Sequence, residues 1–366
     1  INKEEYNIAI QKPLNLKEAV PKYINSSAPF FSSWVSQILP DLLTSEELEI
    51  GGLVIKTSLN INWQKKAQEV IRKYSPGETE GAIVSVVPQN GLVRVLVGGK
   101  NFNKNQFNRA TQALRSPGST FKLFPYLAVL KEGYKPEDLF LDEPKCWYGY
   151  CPRNFGDKYM GSVNLADSLK DSLNSVAVQL IDISGFKNVI EIANSLGIGN
   201  DKQLGEYYPL AIGAYEQTLL KMTSAYAAVA NQGVYIRPSP IELIKGPGEE
   251  VLWDYQVDHP KGIRAVSTNV ADTMNWMLLR VVNDGTGIAA KLKNREVAGK
   301  TGTSEGGRDL WFIGSFPQLS TGIWFGYDDN RKTMLSSGDA AYAWKKFIEK
   351  ITNQLDILNF PARSRI

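Results

Sequence analysis

Two regions of the chain carry the apolar pattern of β-strands. The early region is GAIVSVVPQNGLVRVLVGG, where two β-rich runs flank Asn90-Gly91, a dipeptide suited to a hairpin turn that needs positive φ. The late region holds three strand-like runs, VAGKTGTS, DLWFIGSF and TGIWFGYDD. The pattern therefore predicts an early hairpin and three late strands that together form one antiparallel sheet.

Helical spacing of apolar residues fills much of the chain around these strands. A helix is predicted in NWQKKAQEVIRKY with Asn62 as its N-cap, and AYAWKKFIEKITNQL is predicted to be a closing amphipathic helix. Further helices are predicted at 119–130, 163–183, 216–231 and 270–283. EIGGLVIKTSL is predicted to form a strand, and VYIRPSPIELIKGPGEEVLWDY to form short strands joined by turns.

The order of these elements indicates the fold class. A long helical block separates the early hairpin from the late strands, and the first 50 residues look irregular and partly helical. We therefore predict an α/β (α+β) fold in which an antiparallel β-sheet is flanked by helices and carries a helical subdomain. A small N-terminal region precedes it.

Bulk composition narrows the choice of function only a little. The 366 residues are 43% hydrophobic and 22% charged, which is ordinary for a globular protein. A net charge of +3 gives no reason to expect nucleic acid as a partner. No apolar run approaches the roughly 18 residues of a membrane span. The chain starts with Ile and has no signal peptide, so we expect a trimmed or processed piece of a longer protein.

The cysteines and the histidine limit the chemistry further. Cys146 and Cys151 either close a small loop as a disulfide, which would indicate an oxidising compartment, or remain two free thiols. His259 is the single histidine, so a zinc site is implausible and we predict neither a metal nor a cofactor. It lies before a proline in what we interpret as a solvated turn. A nucleophile here must therefore be activated by something other than imidazole.

The segment RSPGSTFKLFPY offers such an activation. Ser119 and Lys122 are three residues apart at a helix start and so share a face. An uncharged lysine can take a serine proton, and apolar neighbours or a second cation lower a lysine pKa toward neutrality. The simpler interpretation is that Ser119 only caps a helix.

Two further segments are ambiguous when each is taken alone. Ser172 and Asn174 either cap a helix or supply a second hydroxyl and a substrate-binding amide. VAGKTGTSEGG contains GKT, but a phosphate loop needs glycine where this chain has Asn294, and a strand-like run follows instead of a helix. Lys300 and its neighbours are therefore better suited to binding a carboxylate at a sheet edge, although an exposed lysine in a plain strand-turn is the alternative.

Taken in order, S-x-x-K, S-x-N and K-T-G form the motif set of penicillin-binding proteins and serine β-lactamases. The match extends to FNRATQALRSPGSTFK, NFGDKYMGSVNLADSLKDSLNSVAVQL, TLLKMTSAYAAVANQG, VAGKTGTSEGGRDLWFIGS and GIWFGYDD. Over roughly residues 50–355 the chain resembles the transpeptidase domain of class A penicillin-binding proteins. EEYNIAIQKPL is similar to the segment that follows their glycosyltransferase domain. The resemblance implies a linker at 1–75, a transpeptidase domain at 76–356 and a tail at 357–366.

The resemblance also implies the roles of the first two motifs. Ser119 is the implied nucleophile and Lys122 its general base. Ser172 is implied to relay a proton to the leaving group, and Asn174 to bind the donor peptide. The middle residue of S-x-N is Leu173 here, where the family commonly has aspartate, and that position need not carry chemistry.

The third motif is implied to hold the substrate. Lys300, Thr301 and Thr303 would grip the terminal carboxylate of a D-Ala-D-Ala stem peptide or a β-lactam, and Gly302 would leave room for its backbone. The oxyanion hole would be formed by the backbone N–H groups of Ser119 and Thr303.

The implied function is peptidoglycan D,D-transpeptidation through an acyl-serine, inhibited by β-lactams. The implied partners are stem peptides, β-lactams and an upstream glycosyltransferase domain of the same chain. The implied location is the outer face of the bacterial cytoplasmic membrane, reached through an anchor outside this sequence. The alternatives are a D,D-carboxypeptidase, a β-lactamase in which Glu206 would be the candidate water-activating carboxylate, and a non-catalytic β-lactam sensor or scaffold.

Overall fold

A five-stranded antiparallel sheet organises the protein. The computed structural model describes residues 3, 6, 26–199 and 204–363, so most of EEYNIAIQKPL and most of the first 25 residues of the predicted linker lie outside the described residues. The strands are β1 Val54–Thr57, β2 Glu80–Val86, β3 Val93–Val97, β4 Leu139–Asp142, β5 Gly161–Asn164, β6 Val234–Tyr235, β7 Ile241–Lys245, β8 Val251–Asp254, β9 Ile263–Arg264, β10 Ala298–Thr303, β11 Asp309–Phe316 and β12 Leu319–Gly326.

The helices form layers on this sheet and a subdomain beside it. The α-helices are α1 Pro29–Ile38, α2 Ser45–Ile50, α3 Ile61–Tyr74, α4 Leu123–Lys131, α5 Leu165–Lys170, α6 Asn174–Ser184, α7 Phe186–Ser195, α8 Leu219–Ala230, α9 Tyr255–Asp258, α10 Thr268–Asn283 and α11 Ser337–Ile351. The 3₁₀ helices are Leu39–Asp41, Gly118–Lys122, Phe155–Asp157, Tyr208–Ile212, Ile288–Ala290, Glu305–Gly307 and Thr352–Gln354.

The main sheet has the strand order β10-β11-β12-β2-β3, so the early hairpin does join the late strands as predicted. Alternating side chains of each strand reach opposite faces. Ile83 and Phe312 pack with Trp344 under α3 and α11, whereas Val84 and Trp311 belong to the larger core on the other face. Both faces are covered, which explains why these strands have nearly continuous apolar sequences.

The smaller sheets lie away from this layer. Strands β1, β7 and β8 form a three-stranded sheet, and the pairs β4-β5 and β6-β9 are short ribbons. His259 packs beside the three-stranded sheet, where its ring lies 4.3 Å from that of Tyr255. The prediction of a solvated turn was wrong for this residue, because the contact leaves His259 partly buried and burial lowers its pKa.

Several predicted element boundaries need correction. The N-cap of α3 is Asn60, not Asn62, because the Asn60 side chain accepts the N–H groups of Asn62 and Trp63. The strand predicted in EIGGLVIKTSL begins only at Val54, since Gly51 and Gly52 have positive φ and end α2.

The predicted helix at 163–183 is interrupted. It consists of α5 and α6, and Ser172 between them has a left-handed φ of 60°. The helix predicted at 119–130 begins as a 3₁₀ turn and becomes α4 only at Leu123. Pro125 lies in the first turn of α4, where its missing N–H removes no helical hydrogen bond.

The edge strand β10 faces the helical subdomain. The 3₁₀ helix Gly118–Lys122 packs directly against it, and a Cβ added at Gly118 would lie 2.4 Å from the carbonyl oxygen of Thr303. A Cβ at Gly302 would lie 2.4 Å from the carbonyl oxygen of Pro117. These glycines therefore permit an approach of backbone to backbone that places the first and third motifs side by side.

Candidate active site

The first motif occupies a single 3₁₀ turn. In this geometry the side chains of residues three apart eclipse each other, so Ser119 and Lys122 are aligned on one side of Gly118–Lys122. Ser119 is partly exposed, and its hydroxyl makes no hydrogen bond within residues 26–199 and 204–363. The Ser119 side chain is thus partly accessible to solvent.

Lys122 is completely buried, and its amine connects the first motif to the second. Nζ donates to the carbonyl oxygen of Ser172 and to Oδ1 of Asn174, each at 2.6 Å, and lies 3.2 Å from the Ser172 hydroxyl. Burial, followed by the nearby charge of Lys300, holds the Lys122 pKa well below its usual range, and Asp142 opposes this effect.

Lys300 connects the third motif to the same point. Its amine is also fully buried and donates to the Ser172 hydroxyl at 2.8 Å. Burial lowers the pKa of Lys300 to about 7. Ser172 is therefore contacted by both lysines, which its left-handed turn between α5 and α6 makes possible.

The remaining residues of β10 take different positions. The Thr301 hydroxyl contacts that of Thr286 at 2.9 Å, and the Thr303 side chain is exposed at the end of the strand. Gly302 packs against Pro117 and Thr120. Sequence reasoning missed Thr286, which lies in the loop after α10, because only the tertiary fold brings it beside β10.

The structure also shows where the two cysteines lie and where Glu206, the candidate water-activating carboxylate, lies. Cys146 and Cys151 are bonded and close a turn in which Trp147 and Tyr150 exchange backbone hydrogen bonds at 2.8 Å. Of the two alternatives the structure therefore has the disulfide. Glu206 is exposed and lines a groove with Lys187 and Glu191 of α7, so it does not face the Lys122 amine.

The arrangement can perform serine acylation. A partly exposed serine has a hydroxyl free of hydrogen bonds among the described residues, a desolvated amine lies on the same turn, and a second hydroxyl is held between two lysines. Two acceptors at 2.6 Å use both hydrogens of an uncharged Lys122 amine and leave its lone pair for a proton.

No helix in the described part of the chain has the length and apolar character of a membrane span.

Comparison with known proteins agrees with this chemistry. The profile of the family described as "Penicillin binding protein transpeptidase domain" matches residues 81–328. Penicillin-binding protein 1A of Aquifex aeolicus is 35% identical over 284 residues, which are 75% of this chain and 38% of that protein. Penicillin-binding protein 1F of Bacillus subtilis is 29% identical, over 89% of this chain and 48% of that protein. The chain thus spans less than half the length of these relatives.

Solved structures show the same fold. PonA1 of Mycobacterium tuberculosis in complex with penicillin V superposes with a TM-score of 0.84 at 26% identity, covering 92% of this chain and 96% of that one. Penicillin-binding protein 1A of Haemophilus influenzae, at 20% identity, covers 99% of this chain and 75% of that one with a TM-score of 0.81. The predicted fold class and family are both confirmed, and the chain belongs to the penicillin-binding protein transpeptidase family.

Proposed function

We propose that this chain is a D,D-transpeptidase domain that cross-links peptidoglycan stem peptides through an acyl-serine at Ser119. The observation that carries the proposal is the Lys122 amine. It is buried, it shares a 3₁₀ turn with Ser119, and both hydrogens of its uncharged form are engaged by Ser172 and Asn174. Its lone pair is left to act as the general base.

In the acylation step the Ser119 hydroxyl proton passes to Lys122 as Oγ bonds to the penultimate D-Ala carbonyl carbon. The carbonyl becomes a tetrahedral oxyanion, which the N–H groups of Ser119 and Thr303 would stabilise. The C–N bond to the terminal D-Ala then breaks. The departing amine receives a proton through the Ser172 hydroxyl, which contacts both lysine amines.

The second step transfers the acyl group. An amine of a neighbouring stem peptide attacks the ester carbonyl and loses a proton to the site, a new amide forms, and Ser119 recovers its hydroxyl. A β-lactam acylates the same oxygen by opening its ring. Its amine stays tethered to the adduct, so no diffusible group vacates the cleft.

The third motif would hold the substrate carboxylate. Lys300 supplies positive charge below pH 7, and the paired hydroxyls of Thr301 and Thr286 offer hydrogen-bond donors beside it. Thr303 would add a further donor at the strand end, and Gly302 keeps the strand backbone open to a peptide. Asn174 is proposed to bind the donor peptide.

The whole protein would be larger than this domain. We propose that residues 1–75 link an upstream glycosyltransferase domain to the transpeptidase domain at 76–356, followed by a tail at 357–366. The greater length of a 1A-type relative supports this, because the match covers only 38% of penicillin-binding protein 1A of Aquifex aeolicus. An anchor in the longer chain would hold the domain at the outer face of the cytoplasmic membrane, in the periplasm.

Mass spectrometry after exposure to penicillin tests the nucleophile. The expected result is one adduct per chain on Ser119 and none in Ser119→Ala; an adduct on another residue would contradict the assignment. Repeated turnover of a chromogenic β-lactam would instead indicate a β-lactamase. Incubation with a D-Ala-D-Ala peptide and an acceptor amine should give the amide product. If the peptide acylates the enzyme but the acyl group is transferred only to water, the chain is a carboxypeptidase. If a β-lactam acylates the enzyme and the peptide does not, the chain is a sensor.

A further inference from the structure

A buried carboxylate lies behind the site without an ion pair. Asp142 ends β4 with 1% of its surface exposed, and no lysine or arginine within residues 26–199 and 204–363 forms a salt bridge with it. Burying a carboxylate is unfavourable unless donors compensate it. Three donors do so here: Nδ2 of Asn154 at 2.7 Å, the N–H of Met160 at 2.8 Å, and the Ser175 hydroxyl.

Asp142 fixes the orientation of Asn154. Because a carboxylate only accepts hydrogen bonds, the Asn154 amide must present its NH₂ group to Asp142. The same NH₂ group donates to the carbonyl oxygen of Lys158 at 3.1 Å. The Oδ1 atom of Asn154 is therefore held in the opposite direction, toward the start of α6.

Asn154 caps α6 from a distant part of the chain. The residue in the N-cap position, Leu173, has no side-chain acceptor. Asn154 Oδ1 accepts the N–H groups of Asn174 at 2.7 Å and Ser175 at 3.2 Å, which a helix start otherwise leaves unsatisfied. The first residue of α6 is thereby pinned on its backbone.

That first residue is the one that contacts Lys122. The Asn174 side chain is held at both ends, because its Oδ1 accepts from Lys122 and its Nδ2 donates to the carbonyl oxygen of Arg153, each at 2.6 Å. Asp142 thus influences the Lys122 amine by two routes. One is the contact chain through Asn154 and Asn174, and the other is its negative charge.

We propose that Asp142 and Asn154 are positioning residues of the acylation site, which hold Asn174 against the Lys122 amine. This inference rests on the proposed role of Lys122 as the base that activates Ser119. Asp142 and Asn154 act without touching substrate. The segment between Asp142 and Asn154 contains the turn closed by the disulfide, so the two residues lie on either side of that turn in the sequence.

The charge of Asp142 gives the first test, a pH profile of acylation by a fluorescent penicillin. Lys300 on β10 and Asp142 on β4 are the charged groups that face Lys122, whereas the α5–α6 turn and α6 present the uncharged Ser172 and Asn174. Acylation needs uncharged Lys122, so its rate rises with pH until the loss of the Lys300 charge near pH 7 weakens carboxylate binding. The inflection of the rising part of the profile is the quantity to compare. Asp142→Asn removes a charge that favours the protonated amine, and the inflection should therefore move to lower pH.

Asp272→Asn is the matched control. Asp272 is also a buried carboxylate, but it lies on α10 and is not among the groups that shift the Lys122 pKa, so its substitution should leave the inflection unchanged. An unmoved inflection in Asp142→Asn would overturn the electrostatic route.

The contact route is tested by a double-mutant cycle. Asn154→Ala should slow acylation about 10- to 100-fold, the range seen when outer-shell partners of a metal ligand are removed. If Asn154 acts through Asn174, then Asn154→Ala should add little to Asn174→Ala. Additive losses would overturn the contact route, as would an acylation rate in Asn154→Ala equal to that of the wild type.

Two measurements keep the outcomes separate. Circular dichroism identifies a variant that fails to fold, and Asn154→Ala tests the contact route independently if Asp142→Asn does not fold. Failure of the assignment of Ser119 as nucleophile and Lys122 as base would look different, because wild-type Ser119 would then not be acylated at all. That result would overturn this inference as well, since no base would remain for the pair to position.

Discussion

The amines of Lys122 and Lys300 both contact the same hydroxyl, that of Ser172, at 3.2 Å and 2.8 Å. The two lysines come from different parts of the chain, and both are fully buried. Neighbouring cations in a desolvated site disfavour each other's charge, which adds to the effect of burial on Lys122. The shared hydroxyl therefore connects Lys122, the proposed base, to Lys300, the residue proposed to bind carboxylate.

Ser172→Ala should slow acylation by penicillin about a hundredfold or more, the usual loss for a group that transfers a proton. The substitution removes the hydroxyl that both lysine amines contact. Stopped-flow measurement of adduct formation is the check, with Ser195→Ala on α7 as a control that removes a hydroxyl bonded only to its own helix. Equal rates in wild type and Ser172→Ala would contradict the proton relay.

Stability should rise with pH between about 7 and 10. The Lys300 pKa is about 7 in the folded protein against 10.5 for a free lysine, and that of Lys122 is lowered in the same direction. In this range the unfolded chain binds protons that the folded chain does not, so a higher pH favours folding. The gain should be on the order of a few kcal/mol and appear as a higher urea midpoint.

Lys300→Met identifies the source of that pH dependence. Methionine retains much of the buried length without a titrating amine, so the rise in urea midpoint should become smaller. A rise of unchanged size would contradict the assignment to Lys300. Above pH 10 the buried Tyr126 and Tyr226, whose pKa values are raised by burial, should reverse the trend.

Gly213→Ala should impair both folding and acylation. Gly213 has left-handed φ and ψ of 84° and 38°, and an added Cβ would lie 2.4 Å from the carbonyl oxygen of Gly118. The turn that carries Ser119 would have to shift against β10. Gly77→Ala is the control, because Gly77 has a φ of 54° with no atom within 4 Å of an added Cβ.

The two glycine variants should differ in one readout. Gly77→Ala should lower the free energy of unfolding by about 1–2 kcal/mol through backbone conformation alone and leave acylation unchanged. Gly213→Ala should lower both the free energy of unfolding and the acylation rate. Equal acylation rates in the two variants would mean that the Gly118 contact does not position Ser119.

Removal of the disulfide should affect stability more than chemistry. Replacing Cys146 and Cys151 by serine releases a short closed loop, and the entropy of closing such a loop corresponds to about 2 kcal/mol. The cysteines contact neither lysine, so acylation should slow less than in Asn154→Ala. Thermal unfolding and adduct kinetics measure the two effects. A larger loss of acylation in the serine variant would show that the turn itself orders the site.

Local pattern was sufficient for most of the fold and for the motif residues. The Asn90-Gly91 turn and the paired apolar runs required only alternation and turn chemistry, and Gly91 does have a φ of 67°. The three motifs were found from their order along the chain. The 3₁₀ start of the first motif was not foreseen, because a three-residue spacing fits both kinds of helix.

The features that could not be predicted from the sequence depend on contacts between residues far apart in the chain. Asn154 resembles any polar turn residue until the fold places it at the start of α6. Asp142 ends a short strand of alternating exposure, and its burial depends on donors from Asn154, Met160 and Ser175. The left-handed conformation of Ser172 had no signal in its residue type, since serine seldom adopts it.

The strand order of the main sheet sets a condition on biosynthesis. The β2–β3 hairpin is made early, but one edge of it pairs with β12, and the hydroxyls of Ser85 and Thr321 that join these strands are 236 residues apart in sequence. Such distant pairing makes folding slow and leaves an apolar strand edge open while the rest of the chain is synthesised. Ser119 thus emerges from the ribosome long before the sheet beside it exists, and a chain that ends before β12 would be prone to aggregate.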